Sequence, residues 1–252
     1  MKLNNPNLIF NLLFRQMIVS LTMVRYRKRF IPFALLAMAM HRKPMKLQKG
    51  CSFWQLVGSG KNGTFSLNPD WQQWGLLAVW DDRQAFDYFY KDSFVSKWWN
   101  RFDCEKWTIL CEPLQSHGQW DGKEPFGALN IQGYKGPVVV LTRATLRFNR
   151  LKNFWNNVNG VSDLMRRSPG YIMSLGIGER PVYRQATFSI WNSLDEVKAF
   201  AYGSKEHSEV IKKTRDEGWY SEELFARFWP IASTGTLNNV DPLKGQIKLN
   251  EL

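Results

Sequence analysis

The chain repeats itself. "VSLTMVRYRKRF" (Val19 to Phe30) and "VVLTRATLRFNRL" (Val139 to Leu151) are both alternating, β-branched runs that turn basic and pass into a helical pattern. Spacing is kept downstream: 37 residues separate Leu21 from the Gly58-Ser-Gly60 turn, and 35 separate Leu141 from Gly176-Ile-Gly178. "WGLLAVWDDRQAFDYFYKDS" (Trp74 to Ser93) then parallels "RQATFSIWNSLDEVKAFAYGS" (Arg184 to Ser204). In each, an apolar strand ends in Trp, a polar N-cap cluster follows, and an amphipathic helix begins. Ser193 with Glu196 forms a capping box that satisfies orphan amides at the second of these helix starts. Each half thus reads strand, helix, strand, strand, helix, strand, the ferredoxin-like unit. Two such units can pair sheet to sheet and cover each other's apolar faces. The predicted organisation is an extension (1–16), a first half (17–135), a second half (136–233) and a tail (234–252). The junction falls in the Gly- and Pro-rich stretch Asp121 to Pro137.

Several motifs fail for physical reasons. "GSGKNG" (Gly58 to Gly63) matches a dinucleotide fingerprint in letters, but "TFSLNPDW" follows, with Pro69 and no helical period to hold a pyrophosphate. The glycine pair recurs at Gly176 and Gly178, so it reads as a turn from the second strand to the third. No Gly-x-Ser-x-Gly elbow or His-Glu-x-x-His is present, and hydrolase readings lack support. Cys51, Cys104 and Cys111 are odd in number without CxxC spacing, which points to a reducing cytoplasm rather than disulfides or zinc. "LIFNLLF" near the start lacks a small-residue cleavage site, so no signal peptide is expected, and Met17 is a second possible start.

The net charge of +12 suits a phosphate backbone or an anionic membrane surface. Clusters form only at "RYRKRF" (Arg25 to Phe30) and "HRKP" (His41 to Pro44), with no helix-turn-helix, zinc-finger or RNP pattern, so nucleic acid is not the expected partner. "FIPFALLAMAM" (Phe30 to Met40) is too short to span a bilayer and reads as a buried helix or, flanked by those clusters, an interfacial one. The 12 Trp and 17 Phe fill cores or contact flat ligands.

Three histidines remain. His41 falls at a helix end, where a partly positive imidazole suits the dipole. His117 falls in "LQSHGQW", read as a turn. His207 shares a helical stripe with Val210, Ile211 and Thr214, apart from the lysines and glutamates around it. That pattern fits a core histidine or a metal ligand.

"RQATFSIWNSLDEVKAFAYGSKEHSEVIKKTRDEGWYSEELFARF" resembles the C-terminal signature of the spheroidene monooxygenase family, as do "GSGKNGTF", "WGLLAVW" and "VVVLTRATLRFNRLKNFW". The likeness covers roughly Ile18 to Pro230. It implies an acyclic carotenoid 2-ketolase that uses haem and dioxygen. It also implies a fold similar to the dimeric α+β barrel group, so that the two halves form a pseudo-dimeric α+β barrel. On that resemblance His207 is expected to be the axial ligand of haem b, with the three cysteines as rivals. Arg143 is expected as a distal donor to bound oxygen, and Arg184 and Arg227 as partners of the haem propionates. Trp155, Phe188, Trp191 and Trp219 would wall the cofactor or polyene. The expected partners are a carotenoid, an unidentified electron donor and the inner face of the cytoplasmic membrane, held peripherally. A haem-degrading or peroxidase-like enzyme and a non-catalytic porphyrin or lipid carrier are the alternatives.

Overall fold

The computed structural model describes residues 17–64, 68–127, 134–180, 182–203 and 212–247; His207 lies outside them. The first half runs β1 (Ile18–Tyr26), α1 (Ile31–Met40), α2 (Arg42–Lys46), β2 (Cys51–Gly60), β3 (Pro69–Trp80), α3 (Arg83–Asp92), α4 (Phe94–Phe102) and β4 (Asp103–Gly118). The second runs β5 (Val138–Leu146), α5 (Leu151–Arg167), β6 (Tyr171–Arg180), β7 (Arg184–Trp191), α6 (Leu194–Gly203) and β8 (Tyr220–Gly235). The strands close into one antiparallel barrel in the order β1-β3-β2-β6-β7-β5-β8-β4. Each half contributes a ferredoxin-like sheet, β4-β1-β3-β2 and β8-β5-β7-β6. The fold is the pseudo-dimeric α+β barrel that the repeat and the resemblance lead one to expect.

Strand periodicity decides what goes inside. Alternate residues Val19, Leu21 and Met23 on β1, and Val139 and Leu141 on β5, join Phe188, Ala226 and Phe228 in a single apolar barrel core. Leu237 and Leu243, beyond β8, close on the same core. The intervening residues face the helices. Helix starts follow local chemistry: Asp82 accepts from the Ala85 amide at 2.8 Å, Ser93 from Ser96 at 3.0 Å, and Ser193 from Glu196 at 3.3 Å. The Ser193 and Glu196 side chains also bond at 3.0 Å, completing the predicted capping box.

Two local expectations are corrected. The recurrent glycines do not make a turn. Gly58 lies in β2 and pairs with Gly178 in β6, at the seam where the two halves join. His41 does cap the end of α1, but it is 1% exposed, ringed by Phe94, Trp98 and Trp99, and its Nε2 has no hydrogen-bond partner among the described residues. Burial lowers its pKa from 6.5 to about 4, so it is neutral rather than partly positive. The unfolded chain takes up that proton below 6.5 and the folded chain only near 4. Stability therefore falls as pH drops through that window, by about 3 kcal/mol from this one group. His41→Leu is expected to flatten the acid limb of a urea-unfolding series between pH 6.5 and 4; an unchanged limb would place the acid sensitivity elsewhere.

Candidate functional site

The two helical layers are built differently. In the first half, Leu76, Ala78 and Trp80 on the outer sheet face meet Phe86, Phe89 and Trp99 in a closed core. In the second half, the space between the outer sheet face and α5 and α6 is a cavity of about 670 Å³. That volume lies within the range of small-molecule and cofactor pockets.

Register explains the difference. One cross-strand row of the second half is Gly176, Thr187, Thr142, Phe225 and His117, running β6-β7-β5-β8-β4, and every member lines the cavity. The repeat places Leu56, Leu76 and Thr22 in the corresponding row of the first half. Leu56 and Leu76 thus give way to Gly176 and Thr187, and the lost volume is left open. Thr22 is 1% exposed and bonded to Thr108 at 3.0 Å, while its counterpart Thr142 is exposed at the cavity floor. The neighbouring row is Ser174, Ser189, Val140, Arg227 and Gln115, again with every member lining the cavity. Over this floor stand Phe154, Val161 and Met165 of α5 and Val197 and Phe200 of α6.

Of the residues singled out in the sequence, Trp191, Trp219, Arg227 and Arg143 line the cavity, although the fully buried Arg143 guanidinium is engaged by Glu179 and Glu222. Trp191 is buried, donates to Ser189 Oγ at 3.0 Å and packs on Phe200 with ring centroids 5.2 Å apart. Trp219 is buried against Phe154 and donates to Glu217 at 2.8 Å. Arg227 donates to Gln115 at 3.0 Å and lies over Phe225, and its buried Nε has no partner among the described residues. Phe188 is on the opposite sheet face, in the barrel core, and the Trp155 indole donates to the Val182 carbonyl. His207 lies outside the described residues. Tyr202 before it and Thr214 after it both line the cavity.

Arg143 and Arg184 belong to a different cluster. Arg143 alternates with the cavity-facing Thr142 and Ala144, so its guanidinium turns to the barrel side. There it donates to Glu222 and, at 3.2 Å, to Glu179, and lies 5.3 Å over the Trp120 ring. Arg184 donates to Asp121 at 2.6 Å and lies 3.5 Å from Glu179. Burial pushes the Glu179 carboxyl above its ordinary range, against the pull of Arg143. Burial would also raise Glu222, but the Gly122 amide and Arg143 hold it below the ordinary value. The three cysteines all sit in the first half and none lines the cavity. Burial raises each thiol, Cys51 to about 12, so they are not poised as thiolates.

His117 and Gln115 are additions the sequence reading did not make. His117 is not in a turn: β4 continues to Gly118, and the imidazole stacks on Phe225 at 5.2 Å. The cavity thus has apolar walls on α5 and α6, hydroxyls of Thr142, Thr187, Ser174 and Ser189 in its floor, and a polar edge at His117, Gln115 and Arg227; Arg215 and Glu223 also line it. A flat apolar molecule with acidic groups at its rim fits that distribution, with Arg227 Nε the free donor. A tetrapyrrole with propionates is one such molecule.

Comparison with known proteins agrees with this geometry. A family model described as "Domain of unknown function (DUF3291)" matches residues 138–236, the half that holds the cavity. Among solved structures, an aldoxime dehydratase aligns with a TM-score of 0.61 at 12% identity, covering 94% of this chain and 89% of that one. At that identity the likeness concerns the fold. A spheroidene monooxygenase of Cereibacter sphaeroides is 35% identical over 76% of this chain, and the match spans 59% of that protein's length. A spheroidene monooxygenase of Rhodobacter capsulatus is 30% identical over 91% of this chain and 97% of its own. Similarity this extensive, carried from one end of the barrel to the other, means that the chain belongs to the spheroidene monooxygenase family.

Proposed function

We propose that this chain is a monooxygenase that introduces a keto or hydroxyl oxygen into a carotenoid, with haem b held in the second-half cavity and dioxygen as co-substrate. The observation that carries the proposal is the asymmetry of the two halves: the same topology is packed solid in one and hollow in the other. The names of the relatives support the substrate class and the reaction type. Haem, when bound, supplies the oxygen-activating chemistry; the protein supplies position and a dry surrounding. His207, in the segment whose described flanks line the cavity, would hold the haem iron. Arg227 and Gln115 would take the acidic rim, and Trp191, Trp219 and Phe154 would exclude water from the apolar body. Insertion of one oxygen atom from dioxygen requires two electrons, so an external donor is part of the reading. A polyene substrate partitions into lipid, so the reading also includes peripheral attachment to a membrane.

Expression of the chain beside an acyclic carotenoid pathway, followed by pigment analysis, tests the reaction. The expected result is an oxygenated polyene from the wild type and none from His207→Ala. The purified wild type is expected to show a Soret band that His207→Ala loses. A colourless protein that still converts the pigment would overturn the haem assignment, and a haem protein that leaves the pigment unchanged would overturn the substrate.

A further inference from the structure

Helix α1 is built inside out. It is apolar along its whole length, yet the residues it buries are the small ones, Ala34 and Ala37. Met38 packs on the core and Ile31 is half-buried, but four large side chains are exposed: Phe33 is 39% exposed, Leu35 45%, Leu36 48% and Met40 46%. A helix that only covered a sheet would do the reverse, since burying leucine and phenylalanine is what stabilises such packing. Phe94 on α4 is also exposed, and Trp98 of α4 packs near Phe33 at 6.3 Å, so the apolar surface continues onto that helix. Contiguous exposed apolar surface rimmed by charge marks an interaction site.

The rim is basic. Arg27, Lys28 and Arg29 are exposed before α1, and Arg42, Lys43 and Lys46 are exposed after it. The first acidic residue of the chain is Asp70; the eleven Lys and Arg before it carry most of the net +12. The two acids that flank α4 are already offset: Asp92 pairs with Lys97, and Asp103 faces Lys106 and Arg27. An apolar face with this surround has the character of an interfacial membrane anchor: apolar side chains enter the acyl boundary while Lys and Arg hold anionic headgroups. A second copy of the chain would bring one basic rim against another, and an electroneutral lipid surface would leave the rim unpaired. No helix among the described residues is long and apolar enough to cross a membrane, so α1 would lie in the interface.

We infer that the outward face of α1, Phe33, Leu35, Leu36 and Met40 within the rim of Arg27, Lys28, Arg29, Arg42, Lys43 and Lys46, is the surface by which the protein docks on an anionic bilayer. The inference deepens the membrane clause of the proposed function and is independent of its haem and oxygenation clauses.

Sedimentation with vesicles of phosphatidylcholine, alone or mixed with phosphatidylglycerol, tests it on the purified full chain. Wild type is expected to pellet with the mixed vesicles at low salt, to be released as salt is raised, and to stay in solution with phosphatidylcholine alone. The double variant Leu35→Ser, Leu36→Ser is expected to bind the mixed vesicles about tenfold or more weakly, with unchanged circular dichroism and melting because both side chains are exposed. Arg42→Glu with Lys43→Glu is expected to lose binding while keeping the apolar face. Equal binding by wild type and both variants would overturn the assignment of this surface. Failure of wild type to pellet with the mixed vesicles would overturn the docking itself. A wild type that is dimeric by analytical ultracentrifugation, with a monomeric serine variant of unchanged vesicle binding, would assign the face to a second copy instead. Protection of α1 from hydrogen exchange in lipid-free protein that disappears on deleting residues 1–16 would assign it to the chain's own N-terminal segment. Soret absorbance and pigment conversion are read separately, so a failed haem or substrate assignment leaves these outcomes intact.

Discussion

Thr142→Trp is expected to abolish the proposed haem binding while the protein remains folded. Thr142 stands at the middle strand of the cavity floor, with Thr187 on one side and Phe225 on the other. Its side chain is exposed to the cavity rather than packed, so an indole there displaces no existing neighbour. It fills the centre of a space of about 670 Å³, against the faces that Phe154 and Trp191 present. The melting temperature should hold or rise, because apolar wall now covered was previously wet. Affinity for haem should fall at least about 100-fold, read by loss of the Soret band on titration into the apoprotein, since a planar ligand cannot share the floor with an indole. The matched control is Thr22→Trp. The same repeat position in the first half is buried and bonded to Thr108, so that variant should unfold or melt far lower. A Thr142→Trp protein that binds haem as tightly as wild type would place the cofactor elsewhere.

The contrast between Thr22 and Thr142 also marks what the sequence could say about this protein. The repeat is visible because strand alternation and helix capping are local: Val139 and Leu141 alternate with Val140 and Thr142 whatever the rest of the chain does. Those local patterns suffice for two ferredoxin-like halves; Trp191 and Trp219, which the resemblance singled out, line the cavity. The cavity itself is a property of register. That Gly176, Thr187, Thr142, Phe225 and His117 form one row depends on β4 of one half pairing with β8 of the other, more than 100 residues away. Nothing in "LQSHGQW" announces that pairing, and Pro113 and Gly118 around it imitate a turn. The signal was comparative but displaced: matching the glycine pairs sets Gly176 against Gly58, whereas the strand register sets Gly176 and Thr187 against Leu56 and Leu76, a loss of side-chain volume on one face. Arg143 shows the opposite limit. A basic residue in a strand within the signature invites a catalytic reading, but period-2 counting from the cavity-facing Thr142 already sends it to the barrel side.

Arg143→Ala is accordingly expected to destabilise the protein by about 3–5 kcal/mol, a drop of about 10 °C or more in melting temperature. The Arg143 side chain is 0% exposed and that of Glu179 8%, so removing the guanidinium leaves a buried carboxylate with the longer 3.5 Å contact to Arg184 in its place. Glu222 suffers less, because the Gly122 amide still donates to it at 2.8 Å. Two features separate this outcome from a simple loss of packing against Trp120. Glu179 already sits above its ordinary pKa because it is buried, and without Arg143 it rises further. The folded variant then holds a proton that the unfolded chain releases above about 4.5, so the variant loses stability as pH rises above that value, and its deficit against wild type is smallest at the acid end. Adding Glu179→Gln to Arg143→Ala should recover part of the loss at pH 8 and remove that slope, since the stranded charge is gone. A double variant no more stable than Arg143→Ala, with the same flat pH response in both, would mean that the guanidinium acts through packing alone. A loss below about 1 kcal/mol would mean that the barrel mouth admits enough water to solvate Glu179 without its partner.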